Sequence, residues 1–118
     1  MTIQECYEQM GLQSEPVLER LGSEKILKKF VLKFLDDTSF QDLKEGLEAA
    51  DGEKAFRAAH TIKGICLNLG FDNLYKVSSE LTEKLRGRDT TGSEEMFQAV
   101  EEQYQIVVNA IQKMAAEE

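Results

Sequence analysis

Apolar residues in this chain recur at intervals of three and four, and glycine falls where each run stops. That rhythm places the apolar groups on one face of an α-helix. It lacks the sustained every-second-residue alternation of a half-buried strand. Breaks at Gly11, Gly22, Asp51-Gly52, Gly70, Gly87 and Gly92 divide the chain into helical segments joined by short turns. At 118 residues, with no internal repeat and no low-complexity linker, the chain suits one domain with a single modest core.

Thr2 and Glu5 have capping-box spacing, which predicts a short first helix to about Met10. Ser14-Glu15-Pro16 opens a second short helix that ends at Gly22. Ser23 can cap a third, whose stripe of Leu27, Phe30, Val31, Phe34 and Leu35 is expected to be buried. A helix over about 40–50 follows, with Phe40, Leu43 and Leu47 inward, and Asp51 can cap its successor over roughly 53–69. The next runs over about 72–86 on Leu74, Val77, Leu81 and Leu85. Residues 88–92 read as a polar loop, and Ser93 as the cap of a last long helix. Its inward positions are Met96, Val100, Tyr104, Val107, Val108, Ile111 and Met114. Short turns make neighbours antiparallel. The expected fold is all-α: an antiparallel up-and-down four-helix bundle with additional short N-terminal helices. Residues 1–22 are expected to form an N-terminal helical cap and residues 23–118 the bundle, together one domain.

A formal net charge of −8 argues against nucleic acid, which is held through clustered Lys and Arg, and against anionic membrane surfaces. It fits a soluble monomer. No apolar run approaches a membrane span, and the start Met1-Thr2-Ile3-Gln4-Glu5 lacks a basic-then-apolar leader, so the expected location is cytoplasmic. The start at Met1 and the end soon after the last helix fit a freestanding protein. Cys6 and Cys66 lack Cys-x-x-Cys spacing and read as free thiols, Cys66 buried on an apolar stripe and Cys6 partly exposed.

The chain has one histidine, His60, in Ala58-Ala59-His60-Thr61-Ile62-Lys63-Gly64. A lone imidazole builds neither a metal cage nor a charge relay, and no second base accompanies the serines as a hydrolase would need. On a helical projection Ala55, Ala59, Ile62, Cys66 and Leu69 fall in the core stripe. His60, Lys63, Gly64 and Leu67 share the opposite side, with Phe56 at its margin. The ring is therefore expected to face solvent as an open nucleophile. Lys63, one turn on, can offset the charge of a phosphoryl group on the ring, an attraction of roughly 0.7–2.8 kcal/mol at about 6 Å. Gly64 costs the helix about 1 kcal/mol relative to alanine but clears bulk one turn above the ring. Leu67 and Phe56, with Asn68 nearby, read as a docking patch. No glycine-rich phosphate loop or kinase motif occurs.

The segment resembles the histidine-containing phosphotransfer (Hpt) domain of two-component phosphorelays. The resemblance rests on His60-x-x-Lys63-Gly64 with Leu69-Gly70, preceded by Ala59, and covers nearly the whole chain. It implies a helical bundle in which His60 takes a phosphoryl group from an aspartate of a response-regulator receiver domain and passes it to another aspartate. It implies no cofactor bound by this domain, Mg²⁺ supplied by the receiver, and receiver domains or a hybrid histidine kinase as partners. Many relatives carry a Glu or Gln on the following helix that hydrogen-bonds the second ring nitrogen. Here that position is Thr82, with Ser79 one turn earlier, and Arg86 matches a place where some relatives carry a basic residue. The alternative is an adaptor of the same fold that binds receivers without efficient transfer.

Overall fold

The computed structural model describes residues 1–117. Glu118, the end of the expected bundle span, lies outside the described residues. The helices are α1 (Ile3–Gln9), α2 (Glu15–Leu21), α3 (Glu24–Lys33), α4 (Ser39–Glu48), α5 (Gly52–Leu69), α6 (Asp72–Lys84) and α7 (Glu94–Ala116). A 3₁₀ turn, Phe34–Asp36, prolongs α3. The start signals work largely as read. Thr2 and Glu5 form a complete capping box, the Ser23 hydroxyl accepts from the Ile26 N–H, and the Asp51 carboxylate accepts from the Lys54 N–H. Ser93 differs: it precedes α7 as expected, but its buried hydroxyl donates to the Thr90 carbonyl at 2.7 Å and caps nothing. Nor does α6 reach Arg86, since its last helical residue is Lys84.

α5 is flanked by α4 and α6, and α6 leads into α7, which α1 also contacts. The α4–α5 approach depends on Gly46, where a Cβ would lie 2.8 Å from the Ala55 nitrogen. Phe40 of α4 stacks on Tyr104 of α7 with centroids 4.1 Å apart, while Phe34 meets Phe71 edge-on.

The N-terminal helices do more than cap one end. Ile3, Cys6, Tyr7 and Val17 belong to the same buried cluster as Leu27, Leu43, Leu74 and Ile111, and the Tyr7 hydroxyl donates to the Leu69 carbonyl at the end of α5. Cys6 is accordingly buried rather than part-exposed, and burial pushes its thiol up to about 11. The expected stripes are also too wide in two places. Phe30 is 43% exposed and Met96 37% exposed, because α3 buries only the narrow line of Leu27 and Val31, and burial along α7 begins at Val100.

Candidate functional site

α5 sorts its residues as its 3.6-residue period requires. Ala55, Ala59, Ile62, Cys66 and Leu69 are buried, while His60, Gly64 and Leu67 are exposed and Lys63 is half-buried. The imidazole therefore stands on the outer face of the helix. A Cβ built at Gly64 would meet nothing within 4 Å, so the space one turn beyond the ring is open. Leu67, two turns along, is 60% exposed. An accessible imidazole beside open space can attack an electrophile and carry the group it receives.

The surroundings of the ring differ from expectation in three respects. Thr82 is fully buried, and its hydroxyl donates to the Ser78 carbonyl within α6 at 2.7 Å. Neither Thr82 nor Ser79 hydrogen-bonds His60; the α6 turn that carries Thr82 rolls it inward beside Leu81. Phe56 is half-buried, and its ring is already in contact with two neighbours. It stacks on His60 with centroids 6.0 Å apart and planes 15° apart, and the Arg88 guanidinium lies 3.9 Å from its centroid. Its ring is thus occupied within this chain rather than standing free as expected. Arg86 is exposed just past the end of α6, paired with Glu83 and 5.5 Å from the Phe56 centroid.

Three charged residues that the sequence reading passed over complete the site. Glu83 on α6 stands across from Lys63. The hydrogen bond from Arg86 holds its carboxyl below the usual carboxylate range, and the charges of Arg86 and Lys63 add to the effect. Arg88, in the loop before α7, donates to Glu53 at 2.8 Å while covering Phe56. Glu53 also accepts from Arg57, so its carboxyl too is lowered, chiefly by these two hydrogen bonds. The Glu83–Arg86 spacing of three was a readable helical pair. Nothing local announces Arg88 against Phe56, because that contact joins residues 32 positions apart.

Beyond Leu67, a groove of about 450 Å³ opens between α5 and the α2–α3 arm, lined by Phe30, Lys33, Phe34, Ile65, Asn68 and Leu69 among others. Asn68 is exposed there, and its carbonyl accepts from Arg20 at 2.8 Å. Among the described residues, no three or more His, Cys, Asp or Glu side chains cluster to hold a metal ion. No helix among them is long and apolar enough to cross a membrane.

Residues 30–113 match the Hpt domain family, a span that holds α4 to α6, most of α7 and the whole His60 site. No curated protein and no solved structure matches the chain. The match covers well over half of the sequence and agrees with the all-helical architecture and the outward imidazole. The chain belongs to the Hpt domain family, whose members carry out histidine phosphotransfer in two-component systems.

Proposed function

We propose that this protein is a phosphorelay carrier in which His60 receives a phosphoryl group from an aspartyl phosphate of one receiver domain and delivers it to the aspartate of another. In the first step a ring nitrogen lone pair forms an N–P bond as the aspartyl P–O bond breaks, and the carboxylate leaves. The second step is the reverse on a different receiver. The observation that carries the reading is the exposed His60 ring with unfilled space at Gly64 and Lys63 on the same stretch of helix. Lys63 would offset the negative charge of the transferred group, and the receiver would supply Mg²⁺ and its own acidic pocket for the transition state. Leu67, Asn68 and the adjoining groove offer the receiver an apolar footing. The carrier takes a phosphoryl group already activated elsewhere and hydrolyses no nucleotide.

The test is incubation with a panel of radiolabelled phospho-receivers, followed by a search for acid-labile, base-stable label on this chain. Label on wild type and none on His60→Gln is the expected result. One observation favours the second reading, a receiver-binding adaptor with poor turnover: no α6 side chain hydrogen-bonds the imidazole. In that case His60→Gln binds receivers as wild type does, and neither protein takes up label.

A further inference from the structure

We propose that Arg88 is a positioning residue for His60, acting through Phe56, and that this stack does the orienting that a hydrogen bond from α6 does not. The inference rests on the phosphotransfer reading and concerns the same site. Four observations converge on it. The loop after α6 folds back onto the first turn of α5, and Gly52 is the point of contact. A Cβ at residue 52 would lie 1.8 Å from the Arg88 carbonyl oxygen and 2.4 Å from its carbon, so only glycine admits the loop. Arg88 itself takes a left-handed backbone conformation, φ 63°, a strained choice for a non-glycine residue that the surrounding contacts must hold. Its guanidinium is then held three ways: Nε donates to Glu53, Nη1 donates to the Arg86 carbonyl, and the carbon sits 3.9 Å from the Phe56 centroid. Finally, Phe56 lies one turn before His60, with its ring nearly parallel to the imidazole.

The consequence concerns the plane of the imidazole. Thr82 is turned into the core and Ser79 makes no bond to the ring, so the aromatic stack is the contact available to restrain it. Phe56 restrains His60 only while its own rotamer is held. A half-buried phenylalanine without that cover would be freer to exchange among staggered states. Arg88 caps the ring, Glu53 anchors Arg88 to α5, and Arg86 adds a second cation 5.5 Å from the centroid.

The test uses the full chain with Arg88→Gln, Arg88→Lys and Gly52→Ala. Three readouts are needed: the carbon-bound imidazole proton resonances, thermal unfolding, and the rate of His60 phosphorylation by phosphoramidate. In that reaction a ring nitrogen displaces ammonia from phosphorus. Because His60 is the only histidine, its resonances are assigned without ambiguity. Arg88→Gln should move both ring-proton resonances toward unstructured-peptide positions and slow phosphorylation about two- to five-fold, the range of an exposed cation–π contact. Arg88→Lys should recover part of both effects. Gly52→Ala, eight residues from His60, should reproduce them by displacing the loop. A lowered melting point with resonances and rate per folded molecule unchanged in Arg88→Gln would show a loop anchor and overturn the proposal. If wild type takes label from neither phosphoramidate nor any receiver, the phosphotransfer reading fails. The ring-proton comparison still decides whether Arg88 and Phe56 hold the imidazole.

Discussion

Gly64 separates stability from activity. It is exposed, lies inside α5, and has nothing within 4 Å of where a Cβ would stand, so alanine fits without moving a neighbour. Replacing a glycine inside a helix should then stabilise the domain by about 0.8–1.0 kcal/mol. With an unfolding entropy of about 2.1 cal/mol/K per residue over a chain of this length, that is a rise in melting temperature of roughly 3–4 °C. The same methyl group stands one turn from the imidazole, where the receiver must approach. A misplacement of about 1 Å at a reacting centre costs on the order of a hundredfold. Gly64→Leu should approach that loss with a phosphorylated receiver as donor, and Gly64→Ala should lose several-fold. Phosphoramidate, a far smaller donor, should be slowed less by either. Thermal melts paired with timed transfer from one cognate receiver measure both effects. If Gly64→Leu transferred at the wild-type rate, or Gly64→Ala melted below wild type, the reason given for glycine at this position would be wrong.

Lys63→Ala should slow transfer about three- to hundred-fold, the span of one charge pair at about 6 Å between the two dielectric limits, and leave the melting temperature nearly unchanged; the same timed assay checks it. Tyr7→Phe should cost about 1 kcal/mol through loss of the buried bond to the Leu69 carbonyl, read from urea midpoints, with transfer per folded molecule intact. Burial raises the Cys6 thiol from an ordinary 9.0 to about 11, and raises Tyr7 and Cys66 as well. The unfolded thiol ionises first. The stability contributed is therefore whole below about pH 9, falls as pH climbs toward 11, and stays lost above that. Equal urea midpoints at pH 8 and pH 10.5 would contradict this sign.

The bundle was legible because α5 obeys its period almost without exception: Ala55, Ala59, Ile62, Cys66 and Leu69 were read as buried and are. His60 and Gly64 were read as outward on the same projection and are exposed. On α6 the stripe of Leu74, Leu81 and Leu85 was read as buried and is, but Thr82 was not placed in it. Leu74, Ser78, Leu81, Thr82 and Leu85 keep three-and-four spacing, and all five are buried. The resemblance placed Thr82 toward the imidazole, yet its hydroxyl is satisfied within its own helix, as threonine can be. Phe30 and Met96 fit their stripes by spacing, but how much of a stripe is covered depends on the neighbouring helix, which periodicity does not report. Arg88 was beyond local reading altogether, since its place depends on a loop returning to Gly52.

The hydroxyl of Tyr7 draws a boundary that homology does not. The segment shared with the family begins at residue 30, yet the last carbonyl of the histidine-bearing helix is tied to a side chain 23 positions upstream of it. Tyr7 and Cys6 are fully buried in the same cluster as side chains of the shared part, and the Tyr7 ring lies 5.7 Å from that of Phe71. A fragment trimmed to residues 30–113 would open a trench under the end of α5 and expose Phe71 and Leu69 to water. The cooperative folding unit is thus longer than the conserved one, and an expression boundary chosen from the family match would cut through the middle of it.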